Sequence, residues 1–192
     1  MSAPDGSPVR IEARRCDLVQ LMARRGQAAT VTEALRCAFG LELPAPGRAD
    51  TAGDVVALWT QPDGWMLMAP RGAEGELAQR VKAACGELGS VVDQTHGRSV
   101  VRVAGERARE VLARICRIDL HPRAFARGQV AVTPVAELPC LVFQPDDVPS
   151  FDLVVSSSYA GWFLDAVTHA AASVGYEVPD ARSSAEFRAG SL

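Results

Sequence analysis

Three places in the sequence bring reactive side chains close enough together to suggest catalysis. The stretch "VVDQTHGRSVVRVAGERAREVLARI", residues 91–115, holds Asp93, Thr95 and His96 within four positions. A carboxylate, a hydroxyl and an imidazole that close could supply a nucleophile and its general base. Later segments add Asp146-Asp147 and Ser156-Ser157-Ser158, and five cysteines (Cys16, Cys37, Cys85, Cys116, Cys140) are spread along the chain. None of these has the company its chemistry needs. The three histidines, His96, His121 and His169, form no HExxH, no i, i+4 pair and no cluster with cysteine. The cysteines are odd in number and never spaced as CxxC, which argues for reduced thiols in a cytoplasm and against a disulfide framework or a zinc site. "AGERAR" lacks the GxGxxG of a dinucleotide turn, and no nucleophile elbow surrounds the serines. Turn and capping chemistry accounts for Asp93, Asp146 and Asp147 better than acid–base work does. The expectation is a chain with no catalytic, cofactor-binding or metal-binding residues.

The elements around these groups explain them as architecture. "LWTQPDGWMLMAP" reads as two apolar strands about Gln61-Pro62-Asp63-Gly64, with proline and glycine placed for a type I turn. "LVFQPDDVPSFDLVVSS" repeats it about Gln144-Pro145-Asp146-Asp147, with three more residues in the loop. Each is followed by an amphipathic helix. Leu77, Val81, Ala84, Cys85 and Leu88 share one face of the first, and Phe163, Val167, Ala170, Ala171 and Val174 share one face of the second. Every member of the second set lies 86 positions after its counterpart, as 163 is after 77, and Phe151 follows Trp65 at the same interval.

Earlier in each half a strand, a glycine and a helix also correspond. Val31, Leu35, Ala38 and Phe39 form one stripe, capped by Gly40; Ala108, Val111, Leu112 and Ile115 form the other. Gly26 and Gly105 occupy matching strand-to-helix turns, and His96-Gly97 is a tight turn between two strands. Each half is therefore roughly β-α-β-β-α, with residues 90–95 as a further strand. That order predicts an α+β protein of two pseudo-repeated, ferredoxin-like (split β-α-β) halves. Residues 1–15 are expected as an untethered arm, 16–96 and 97–178 as the halves, and 179–192 as a polar tail.

Composition sets the outer bounds. The chain of 192 residues is 48% hydrophobic and 22% charged, as a folded protein is. A net charge of −3 gives no reason to expect nucleic acid or an anionic membrane as a partner. "MSAPDGSPVRIEARR" has no apolar core segment, so no secretory signal is expected, and no apolar run approaches membrane-spanning length. Two features stand out from a plain scaffold. The connection "IDLHPRAFARGQ" carries His121, Arg123, Phe125 and Arg127, the kind of aromatic and arginine groups that dock partners. Trp162 lies on the last helix away from Phe163, Val167 and Val174, on the side of Asp165 and His169. His121, Arg123, Phe125 and Trp162 are the candidate subunit interface.

From about residue 16 to 175 the chain resembles the gamma subunit family of heterotetrameric sarcosine oxidase. The resemblance is carried by "DLVQLMARRGQAATVTEALRCAFGLELPAPGR", "ALWTQPDGWMLMAP", "VVDQTHGRSVVRVAGERAREVLARICRIDLHPRAF" and "SYAGWF". Asp119-Leu120-His121-Pro122, with Arg123 and Phe125, is its most specific piece; the remainder is similar to folate-binding aminomethyltransferase-like domains at large. The resemblance implies a cytoplasmic complex of alpha, beta, gamma and delta subunits. That complex oxidatively demethylates sarcosine to glycine, forms hydrogen peroxide and passes the one-carbon unit to tetrahydrofolate. It also implies that FAD, FMN, NAD and zinc belong to the partner subunits and that this subunit binds no cofactor. The resemblance extends to the gamma subunit of a related N-methyl amine oxidase, and two other readings stay open. One is a folate-dependent aminomethyltransferase-like enzyme, for which the chain is short and lacks a clear catalytic carboxylate. The other is the related iron–sulfur maintenance protein, whose Lys-Gly-Cys-Tyr run is missing.

Overall fold

Strand β1, Val9–Arg14, is the first element of the computed structural model, which describes residues 8–179. The tail expected at 179–192 lies, but for Pro179, outside the described residues, as do residues 1–7. Residues 9–14 are not an untethered arm. In "VRIEAR" the apolar residues alternate with charged ones, and the two sets fall on opposite faces of a strand. Val9 and Ile11 are fully buried, which favours the docked strand by roughly 1.5–3 kcal/mol for each side chain.

Contacts divide the chain into two compact units. Residues 15–98 run β2 (Cys16–Ala23), α1 (Ala28–Phe39), β3 (Ala49–Ala52), β4 (Val55–Gln61), β5 (Gly64–Pro70), α2 (Glu76–Cys85) and β6 (Gly89–Asp93). Their sheet is antiparallel throughout, in the order β3-β4-β5-β2-β6, with Leu18 opposite Met68 and Leu21 opposite Val91. The stripes Val31 and Leu35 of α1, and Leu77, Val81 and Cys85 of α2, close a core against Val19, Leu21, Ala57 and Leu67. Ala38, expected in that stripe, is exposed, and Phe39 is half-buried beneath the Arg80 guanidinium, 4.8 Å from its ring centre. Gly40 ends α1 in the left-handed region at φ 69°, its N–H donating to the Arg36 carbonyl. The β4–β5 turn departs from type I, since Asp63 has φ 56° where that turn needs a negative value. A Cβ on Gly64 would meet the Gln61 side chain at 2.6 Å and the Met22 sulfur at 2.7 Å, so a larger residue there would have to displace both side chains.

The second unit joins β1 to residues 99–179. Its elements are β7 (Arg98–Ala104), α3 (Ala108–Ala113), β8 (Val130–Val135), β9 (Leu138–Phe143), β10 (Ser150–Ser156), a 3-10 turn at Ser157–Tyr159, α4 (Ala160–Ala171) and β11 (Tyr176–Glu177). The sheet order is β11-β1-β7-β10-β9-β8. β1 pairs antiparallel with β7, Ile11 opposite Val103, and parallel with the short β11. Phe163, Val167, Ala171 and Val174 of the last helical segment bury against Val101, Val103, Phe151, Leu153 and Val155. β5 and β10 each hold six consecutive buried residues, as strands covered on both faces do; the run in β5 is apolar, while that in β10 includes Ser150 and Asp152. The fold is mixed α+β, with one strand more in the first unit than the sequence suggested, β3, and three more in the second, β1, β8 and β11.

Candidate functional site

The residues with catalytic promise are spent on turns and on local side-chain pairs. Asp93 Oδ1 accepts the Thr95 N–H at 2.8 Å, and Thr95 Oγ1 accepts the Leu18 N–H at 3.1 Å. Partial burial works to raise the Asp93 pKa, but the hydrogen bonds from Thr95 and the nearby His96 and Arg71 outweigh it and hold the carboxyl below its usual range. His96 is exposed, with Arg71 Nη2 3.3 Å and Glu74 Oε1 3.9 Å from its Nε2. Asp146 accepts the Ser150 hydroxyl at 2.6 Å, Asp147 lies 3.5 Å from Arg127, and the Ser156 and Ser158 hydroxyls bond each other at the entry to α4. Among the described residues no three of His, Cys, Asp and Glu stand close enough to hold a metal ion. Burial pushes the Cys85 and Cys116 thiols up, away from thiolate chemistry.

Two polar constructions escaped the sequence reading. Asp152 on β10 is fully buried and accepts Arg14 Nη1 at 2.6 Å, Arg102 Nε at 2.8 Å and Arg102 Nη2 at 2.9 Å. For Arg102, burial works to lower the pKa, yet the hydrogen bonds and charge of Asp152 leave it raised. This clamp ties β1 to the middle of its sheet. The second is Arg109 on α3, at the margin of the stripe Ala108, Val111 and Leu112. Its guanidinium donates to the Leu120 carbonyl, the Phe125 carbonyl at 3.0 Å and Gln144 Oε1 at 2.9 Å, and lies 5.1 Å from the Phe151 ring centre. Burial alone pushes the Arg109 pKa down.

The structure splits the four candidate interface residues. Phe125 is a core residue, 4% exposed, stacked on Phe151 with ring centres 6.3 Å apart; it is corrected from surface to core. Carbonyls that would otherwise resist burial around it are satisfied by Arg109. His121 and Arg123 stay exposed on the same loop. Trp162 is 55% exposed and Tyr159, three positions before it, 53%. Residues three apart at a helix start fall on one side, so Tyr159 is a second exposed aromatic near Trp162, and the sequence had pointed only to Trp162. The described residues therefore offer aromatic and cationic groups for contact, and among them no acid, base and nucleophile converge.

The profile of the sarcosine oxidase, gamma subunit family matches residues 25–173. The sarcosine oxidase subunit gamma of Arthrobacter sp is 34% identical over 140 residues, covering 70% of this chain and 68% of that one. The same subunit of Corynebacterium sp. (strain U-96) is 32% identical over 162 residues, covering 80% and 77%. A chain of the heterotetrameric sarcosine oxidase from Corynebacterium sp. U-96, in complex with pyrrole 2-carboxylate, superposes with TM-score 0.78 at 27% identity, over 90% of this chain and 88% of that one. Aminomethyltransferase T of the Bartonella henselae glycine cleavage system shares the fold at TM-score 0.64 and 12% identity, over 84% of this chain and 46% of its own.

Proposed function

Since the chain belongs to the sarcosine oxidase gamma subunit family, we propose that it is the gamma subunit of a heterotetrameric sarcosine oxidase and that its work is assembly. Its partners in this reading are the alpha, beta and delta subunits, in the cytoplasm. The complex oxidises sarcosine to glycine, forms hydrogen peroxide and delivers the one-carbon unit to tetrahydrofolate. FAD, FMN, NAD and zinc reside in those partners, and this chain holds no cofactor. The observation that carries the assembly reading is the exposure of Tyr159, in the turn that enters α4, and of Trp162 on α4 itself, whose opposite side is core. Large aromatics that stay in water cost solubility in a free protein and anchor interfaces in an assembled one. His121 and Arg123 are the second contact region. Among the described residues, no helix is long and apolar enough to cross a membrane.

The two units also support descent from a repeated ferredoxin-like half. In the first, β6-β2-β5-β4 has the strand order of a split β-α-β sheet, with β3 added at the edge. In the second, β7-β10-β9 follows the same course with β8 at the edge, while β1 takes the place beside β7 that β6 takes beside β2. Matched positions are buried alike: Leu77 with Phe163, Val81 with Val167, Trp65 with Phe151.

Native mass spectrometry of the complex purified from its own cells tests the assembly reading. The chain should travel with three other chains, and flavin mass should appear on a partner. Recovery of the chain alone would sink the reading. Calorimetry showing micromolar tetrahydrofolate binding to the isolated chain, about 8 kcal/mol of affinity, would instead favour an aminomethyltransferase-like enzyme.

A further inference from the structure

We propose that the loop of residues 118–129 is a preformed docking element, which rests on the assembly reading above. On it His121 and Arg123 offer hydrogen-bond donors to a carboxylate-bearing surface of a partner subunit, and Arg109 is the positioning residue that holds the loop in shape.

The loop is built from within. Leu120 and Phe125 are buried, and Arg109 bridges their carbonyls to the Gln144 amide oxygen. The Gly128 N–H donates to the Gln144 carbonyl at 2.8 Å, and the Gln144 N–H to the Gln129 carbonyl at 3.1 Å, tying the loop's end to the same residue. No carboxylate is among the partners of Arg109, and its Nε is buried without an acceptor among the described residues. A guanidinium held this way loses hydration without the return of an ion pair. What it gains is geometry, since its planar fork reaches three acceptors at fixed angles where an ammonium would act as a point charge.

The rim then has a definite chemistry. Asp119 Oδ1 is taken by the His121 N–H at 2.8 Å. Arg117 is paired with Glu137, and Arg127 with Asp147. His121 Nδ1 accepts the Arg123 N–H at 3.2 Å, so the neutral ring carries its proton on Nε2. The Arg123 guanidinium has no hydrogen-bond or ion-pair partner among the described residues and is exposed. The loop therefore shows donors at His121 and Arg123 with no local acceptor between them. Carboxylate is the complement, because arginine binds it through two parallel bonds. The backbone that carries them is already held, so only the two side chains lose freedom on binding.

Recovery of the partner subunits on the tagged full chain, co-expressed with the whole complex, tests this together with amide exchange across residues 118–129. Arg123→Glu should cut recovery about tenfold or more, a range set by truncations at interface centres. Arg123→Lys, which keeps the charge, should retain part of it. Salt at about 1 M, where screening acts within roughly 3 Å, should lower wild-type recovery more than that of Arg123→Ala. Arg109→Lys should speed exchange in the loop and weaken recovery although Arg123 is intact. Wild-type recovery by Arg123→Glu overturns the proposal while leaving the assembly reading in place. Failure of the wild-type chain to recover any partner overturns both. If Arg109→Lys does not fold, the Arg123 variants still decide.

Discussion

Replacing Asp152 with alanine tests whether the buried clamp, rather than backbone pairing alone, holds β1 in its sheet. Asp152 receives three charge-assisted hydrogen bonds at 2.6, 2.8 and 2.9 Å, two of them from Arg102 and one from Arg14. Its removal leaves two arginines facing each other without a counter-charge. A fully buried pair broken in this way costs about 3–5 kcal/mol. The arginine side chains keep 29% and 22% of their exposure, so both heads can turn toward water, and the low end, about 3 kcal/mol, applies. For a chain of this size each kcal/mol moves the melting temperature by about 2–4 °C, which makes a fall of about 6–12 °C. Circular dichroism of the isolated chain gives the melt, and amide exchange at Ile11 and Ala13 gives the local effect. Arg14→Met should produce a smaller fall, because Arg102 still neutralises Asp152. A melt within about 2 °C of wild type, with β1 still protected, would refute the clamp as the anchor.

Trp162→Ala should leave the melt of the isolated chain nearly unchanged, since the ring is 55% exposed, while affinity for the partners drops by roughly thirtyfold, or ~2 kcal/mol. A melt lower by several degrees with normal assembly places the ring in the core. Of the five cysteines only Cys37 is exposed, so a thiol reagent should label one site rapidly in the native chain and all five after denaturation; rapid labelling of Cys85 or Cys116 contradicts their burial. Asp93 has a folded pKa below its unfolded value, so its stabilisation is present above the unfolded pKa of about 3.9 and disappears as pH falls through the folded one. The stability gap between wild type and Asp93→Asn should hold from neutral pH to about 5 and close below about 4; a gap that persists at low pH assigns the effect to shape instead.

What was legible in the sequence followed from local pattern. The stripes of α2 and α4 were readable because helical periodicity fixes which residues share a face, and Trp162 fell outside its stripe for the same reason. β1 was not, although "VRIEAR" alternates as a strand should, because its partner β7 begins at Arg98 and nothing nearby announces the pairing. The β8–β9 hairpin turns through Ala136 and Glu137, both at positive φ, where Asn-Gly would have been the usual signal. Phe125 misled for a different reason. An aromatic between arginines in an irregular segment looks like surface, and only the carbonyl bonds of Arg109, a residue that looked like helix exterior, turn it inward.

The placement of β1 sets a timetable for the growing chain. β1 leaves the ribosome ahead of the rest of its sheet, and its neighbour β7 follows about 90 residues later, a delay of roughly 5–20 s at ordinary elongation rates. Its other neighbour, β11, comes later still, at Tyr176 and Glu177. Meanwhile residues 15–98 contain every strand of their own sheet and can close it during synthesis. Val9 and Ile11 thus spend that interval without the strand that buries them, as an apolar segment open to chaperones. A bulky fusion joined ahead of β1 acts on the strand that must wait, so it should lower the yield of folded chain more than the same fusion joined beyond β11.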